Sequence, residues 1–227
     1  LPMPVALVLA VAIPAAVGVI VEKLGIEPAR DAGVVGLIII TIGASLVLRG
    51  LIQIWLGKGA AAFPAFSGDA PIAIGGAALA PQSLWVLGTT AVIVAALWLF
   101  FNRTLAGKAI LATSFDPLAA QLVGINTQWV LLVSFALSAA IGAVGGILLT
   151  PITMTSYDVG IMLGLKGFVA AVVGGLGNGL GAVVGGLMVG IIEAMSAGYI
   201  SSAYKDAAPF LLIFVVLFFL PRGLFGA

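Results

Sequence analysis

Seven runs of this chain are almost free of charge: residues 5–21, 33–55, 83–101, 129–149, 159–176, 180–200 and 207–220. A bilayer-spanning helix needs about 17–25 mostly apolar residues. In hydrocarbon the backbone must satisfy its own hydrogen bonds, which only helices and closed barrels do. The whole chain is 63% hydrophobic and 7% charged, against roughly 25% charged in soluble domains. The pattern predicts an all-α membrane protein, a polytopic bundle of seven helical segments. Pro14 interrupts the first run, Arg49 lies near the end of the second, and Pro209 falls in the last. Leu1 opens an apolar run with no charged flank, which does not read as a signal peptide. The expectation is a longer parent protein whose first part is absent, with residues 1–227 forming a single transmembrane domain.

Composition removes several function classes. There is no cysteine and no histidine, so disulfides, thiolate chemistry, histidine-based zinc sites and histidine acid/base catalysis lose their side chains. A net charge of +1 offers no field to nucleic acid. A phosphate-binding loop needs Lys-Ser or Lys-Thr after its last glycine. Lys58 is followed by glycine and Lys108 by alanine. The glycine cluster misses the dinucleotide spacing, because Leu180, Ala182 or Val184 stands where the third glycine belongs. The eight acidic residues form no close pair in sequence. No catalytic group, metal site or cofactor site is expected, and energy for uphill work would come from another chain.

Lysine and arginine favour the cytoplasmic side of a membrane protein. Alternation puts residues 22–32, 102–128 and the end from Pro221 on one side, with Lys23, Arg30, Arg103, Lys108 and Arg222; the other side holds Lys58 and Lys205. The first side is therefore read as cytoplasmic. Residues 57–82 become an external loop, irregular or hairpin-like.

Glycine supplies 31 of 227 residues, often at four-residue spacing: Gly142/Gly146, Gly177/Gly181, Gly181/Gly185 and Gly186/Gly190. Small residues one turn apart let helices in lipid approach closely. The fifth and sixth runs meet at "GLGNG" with no polar loop, which reads as a broken, glycine-rich helix pair. Gly174, Gly175, Gly177, Asn178, Gly179 and Gly181 are its hinge or close-packing residues. The turn is expected at the cytoplasmic boundary, with Asn178 taking positive φ.

Within 102–128, the words "SFDPLAAQLVGI" describe a short capped helix over residues 117–123. Asp116 suits the N-cap, Pro117 the first helical position, and Gly124 the position past the end. Low charge argues against a helix lying on lipid headgroups, so a partner surface is expected.

Two intramembrane charges remain. Lys166 lies seven residues from the outer end of the fifth run and Glu193 seven from the outer end of the sixth. At about 1.5 Å per residue both are roughly 10 Å deep. A lone charge there costs several kcal/mol, so Lys166 and Glu193 are expected to pair, holding the fold together without touching substrate.

These words carry a resemblance. Ala119, Ala120 and Gly124 stand in register with the ATPase-contacting motif of bacterial ABC importer permeases, Glu-Ala-Ala, three residues, Gly; Leu118 replaces its glutamate. Together with "GLKGFVAAVVGGLGNGLGAVVGG" and "YISSAYKDAAPFLLIFVVLFFLPRGLFG", the chain resembles the shorter of the paired permeases of branched-chain amino acid ABC importers, over nearly its whole length. The resemblance implies a permease subunit in the bacterial inner membrane, itself no enzyme, working with a second permease subunit, two ABC ATPase subunits and a periplasmic substrate-binding protein. Loop 102–128 and the C-terminal end would face the cytoplasm, and Asp116, Pro117, Ala119, Ala120 and Gly124 would form the coupling helix. The alternatives are a related permease for urea or short amides, and a self-contained channel or secondary transporter. The latter would want several ionisable groups for ion coupling and no capped cytoplasmic helix.

Overall fold

The structure, a computed structural model, describes residues 2–68, 70–74 and 77–226. Among them are nine α-helices: α1 (Met3–Val21), α2 (Gly33–Leu56), α3 (Pro81–Arg103), α4 (Leu105–Phe115), α5 (Pro117–Leu122), α6 (Thr127–Thr153), α7 (Val159–Gly174), α8 (Gly179–Met195) and α9 (Ala208–Phe219). Five helical stretches are long and apolar enough to cross a membrane: Met3–Ala29, Val35–Leu56, Pro81–Arg103, Thr127–Thr153 and Gly179–Ile200. The α7 and α9 helices, 16 and 12 residues, are shorter. The chain divides into two compact units, Leu1–Tyr157 and Asp158–Ala227.

In the first unit α1 packs along α6. The approach is close at Gly18, where a Cβ would come within 2.9 Å of the Phe135 carbonyl oxygen and of the Ala139 Cβ. Pro14 does not interrupt α1, which runs through it as one helix; helices at membrane depth tolerate the lost bond. Nor does residue 22 open a loop. The helix continues into a π-helical turn, Glu22–Ile26, and a 3₁₀ segment, Glu27–Ala32, before Gly33 at φ 69° starts α2. Glu22 is 1% exposed. The side chain of Arg30, counted above among the cytoplasmic charges, lies outside the described residues.

Between α2 and α3 the described residues hold a short antiparallel pair, β1 (Ile72–Ile74) and β2 (Ala77–Leu79), registered Ile72 to Leu79. A bridge between Ala61 and Thr155 ties the segment to the end of α6. Gln82, 3% exposed, fastens it from below: its Nε2 donates to the Leu148 carbonyl at 2.9 Å and its Oε1 accepts from the Phe66 amide at 3.3 Å.

The second unit is a hairpin of α7 and α8 with α9 against both. Val169, Ala170, Val173, Val189 and Val216 form its core, with Phe210, Leu212 and Ile213 packed around them. A second π-helical turn, Ser196–Ile200, prolongs α8. Pro209 is buried in the first turn of α9, where its missing N–H removes no helical bond.

Replacing Gln82 with leucine should free residues 57–80. The half-buried Phe66 amide would lose its acceptor and the buried Leu148 carbonyl its donor, a cost of about 1–2 kcal/mol. Limited proteolysis of the protein in detergent is expected to cut that segment several-fold faster, with helix content by circular dichroism unchanged.

Candidate functional site

Three groups of residues carry the expected chemistry. The first is α5. Asp116 Oδ1 accepts from the amides of Leu118 at 2.9 Å and Ala119 at 3.0 Å, with Pro117 as the first helical residue. At the other end, Gly124 N–H donates to the Gln121 carbonyl and Ile125 N–H to the Ala120 carbonyl, with Gly124 at φ 86°. That is a Schellman close, which the left-handed glycine makes possible. The helix spans Pro117–Leu122, one residue short of the expected 117–123, because Val123 already leaves helical geometry. Ala120 is buried, while Phe115, Leu118, Leu122 and Val123 are each more than 70% exposed. Adjacent α4, which sequence reading left inside a loop, starts at a Thr104 cap on the Gly107 amide. Gly107 has no room for a Cβ against the Phe100 carbonyl, so the α3–α4 corner is tight and sets where α5 is presented.

The second group is the α7–α8 turn. The two helices are separated at residues 175–178. Positive φ falls on Gly175 (108°) and Gly177 (89°), not on Asn178, whose φ is −106°. The expectation for Asn178 is thus corrected, and the reason is local. Asn178 is the N-cap of α8, its Oδ1 accepting from the Gly181 amide at 3.0 Å, and an N-cap keeps extended backbone. A Cβ on Gly174 would collide with the Gly181 carbonyl, and one on Gly185 with the Ala170 carbonyl. By contrast a Cβ on Gly142, Gly146, Gly177, Gly186 or Gly190 would meet no packed neighbour within 4 Å among the described residues. Of the four-spaced glycine pairs, only Gly181/Gly185 has both members at a close approach; Gly179 also stands in open space.

The third group is the charge cluster. With Gly174 opposite Gly181 and Ala170 opposite Gly185, the antiparallel ladder places Lys166 near Val189, and Glu193 one turn further. The lysine stem spans that turn. Lys166 Nζ donates to Glu193 Oε1 at 2.7 Å and to Asp206 Oδ1 at 2.7 Å. Side-chain exposures of 16%, 26% and 42% make this a partly buried pair with one wetter end. Asp206 was missed by sequence reading. It follows Lys205 in the short link to α9, and its only signal was a charge close to an outer helix end. The hydrogen bond from Lys166 holds the Asp206 carboxyl below its ordinary value. Its contribution to stability is therefore present above the ordinary aspartate value, about 3.9, and lost as pH falls through the lower folded value.

Beside this cluster, α9 and the end of α8 border an apolar groove of about 690 Å³, lined by Ile192, Met195, Tyr199, Leu211 and Val215 among others. In the first unit, Glu22 is a further residue, one that opens the stretch 22–32 read from the sequence as cytoplasmic. Among the described residues its buried Oε1 has no hydrogen-bond partner.

The chain matches the family described as branched-chain amino acid transport system, permease component, over residues 1–217. It is 33% identical over 223 residues to the high-affinity branched-chain amino acid transport system permease protein LivH of Escherichia coli, a match covering 96% of this chain and 72% of that protein. The corresponding permease BraD of Pseudomonas aeruginosa is 29% identical over 218 residues, covering 93% and 70%. The galactose/methyl galactoside import permease MglC of Salmonella typhimurium is 32% identical over 184 residues, 77% of this chain and 52% of that protein. No solved structure matches the chain.

The cluster makes its own prediction. Lys166→Met alone leaves Glu193 without its lysine inside the apolar stretch Gly179–Ile200 and should destabilise the protein by about 1–3 kcal/mol, less than for a fully buried pair. The double change Lys166→Met with Glu193→Leu should recover most of the loss, since Asp206 can turn to water. Thermal unfolding in detergent measures both.

Proposed function

Because the chain belongs to the family of permease components of branched-chain amino acid transport systems, we propose that it lines half of the membrane path of an ATP-driven importer for leucine, isoleucine and valine. The match to LivH, 33% identity along 96% of the chain, carries this reading. The sugar permease relative covers less of the chain, so the amino acid assignment rests on the longer match. The protein is a multi-pass membrane protein with no chemical step of its own. A second permease, two ABC ATPases and a periplasmic substrate-binding protein complete the importer in the inner membrane.

In this reading residues 102–128 and the C-terminal end face the cytoplasm, in keeping with the lysine and arginine bias. The capped α5 is the coupling helix. Closure of the ATPases on ATP pushes α5, and the permease pair rocks from outward-open to inward-open. The exposed Phe115, Leu118, Leu122 and Val123 make the contact; Leu118, in the place of the motif's glutamate, makes it by apolar burial. Such a patch at a short helix, left largely exposed among the described residues, is what a partner surface covers. Here α7 and α8 form the broken pair of the bundle, α7 at 16 residues being short for a span. The Lys166 cluster holds that pair and does not touch the apolar substrate side chain.

Two measurements test this. Reconstituted with its binding protein and ATPases, the permease should take up labelled leucine, isoleucine and valine and not urea; urea uptake without leucine uptake would overturn the substrate class. Leu122→Asp, at an 89% exposed position, should leave membrane levels normal and lower ATP-driven uptake at least about tenfold, as expected when about 1.4 kcal/mol or more of docking is lost. Unchanged uptake in that variant would remove α5 from the coupling contact.

A further inference from the structure

The segment after α9 returns to the α7–α8 turn. Leu220, Pro221, Arg222 and Gly223 make a turn closed by the Gly223 amide on the Leu220 carbonyl at 2.8 Å. Proline at its second position has its φ preset for such a turn. The chain then runs along the end of α7. Leu224 N–H donates to the Val173 carbonyl at 2.9 Å and Phe225 N–H to the Gly174 carbonyl at 3.0 Å. These are two of the last carbonyls of α7, which a helix end leaves without an internal partner. In turn, Asn178 Nδ2 donates to the Phe225 carbonyl at 3.3 Å.

The fit is made by glycine on both sides. A Cβ on Gly175 would lie 2.6 Å from the Gly226 nitrogen, and one on Gly223 2.6 Å from the Val172 carbonyl oxygen. A Cβ on Gly181 would lie 3.3 Å from that of Phe225. Gly223 is also at φ 79° and buried. Asn178 thus uses its oxygen to cap α8 and its nitrogen to hold residue 225, joining three pieces of chain at one side chain.

We propose that residues 220–226 are a clasp that locks the α7–α8 turn, with Asn178 as its positioning residue, so that α7 and α8 move as one rigid block during transport. Gly174, Gly175 and Gly181 then serve close approach and are not a hinge. Their freedom is already spent: Gly174 and Gly181 are held backbone to backbone, and the α7 end is capped from outside.

Asn178→Asp separates the two jobs of that side chain. The carboxylate still caps α8 but cannot donate to the Phe225 carbonyl and faces it with like charge. Gly223→Ala attacks the clasp from the other side, through its backbone conformation and the Val172 contact. Hydrogen exchange is measured on the full protein in nanodiscs, together with uptake in the assembled importer. In the parent the amides of Leu224 and Phe225 should be protected. In both variants they should exchange about five- to tenfold faster, the worth of a hydrogen bond, and uptake should fall with subunit assembly intact. Parent amides exchanging at free-peptide rates would refute the clasp. Faster exchange with unchanged uptake would refute its positioning role. The uptake arm rests on the permease reading above and the exchange arm does not, so failure of the parent to transport leaves the clasp to be judged by exchange alone.

Discussion

The second unit depends on one contact, the backbone-to-backbone approach of α7 and α8 at Gly174, Gly181 and Gly185. Lipid gives helices no hydrophobic reason to associate, because tails are as apolar as leucine. What remains is dispersion between close surfaces and polar contacts that close approach permits. With no side chain between them, the helices bring Val169, Val173 and Val189 into one core. They also bring Lys166 within one turn of Glu193. A single Cβ at Gly174 or Gly185 would have to push the helices apart, and each dependent contact would loosen with it.

The apolar spans were legible because in a bilayer composition decides structure directly: the run of residues 129–149 becomes α6, Thr127–Thr153, with the Asn126 cap and its next turn added. The capped α5 was legible for a different reason, since Asp116-Pro117 and Gly124 act within a few residues and need no tertiary partner. Other features were hidden. Asn178 and the glycines around it can all accept unusual backbone, and only its contacts with Gly181 and Phe225 show that the asparagine is used for its side chain. Asp206 reaches Lys166 because the chain doubles back after Ile200, a tertiary event with no local mark. Residues 105–115 hold one lysine among apolar and small residues, too short for a span and too plain for a motif, and they turned out to be α4.

The charges follow the same logic as the glycines. An isolated lysine at membrane depth is costly. The fold answers with two carboxylates, one on the facing helix and one from a link that reaches water. The second acid lets the lysine keep a partner even if one contact breathes. This arrangement has one partner fixed by helix packing and one that tolerates movement of the link.

The two π-helical turns, Glu22–Ile26 and Ser196–Ile200, carry a consequence for how such chains diverge. Each holds one residue more than an α-turn would need, and one residue is about 100° of helical rotation. The first follows α1 and joins it to the 3₁₀ segment; the second follows α8 after Met195. The widened turn takes up that residue, so its loss there would return the turn to ordinary α geometry and leave the residues beyond it facing as before. Single-residue gaps in an alignment at these two places should therefore be read as loss of the wide turn with helix facing kept. The same gap elsewhere in α1 or α8 would break the helix register against its neighbour.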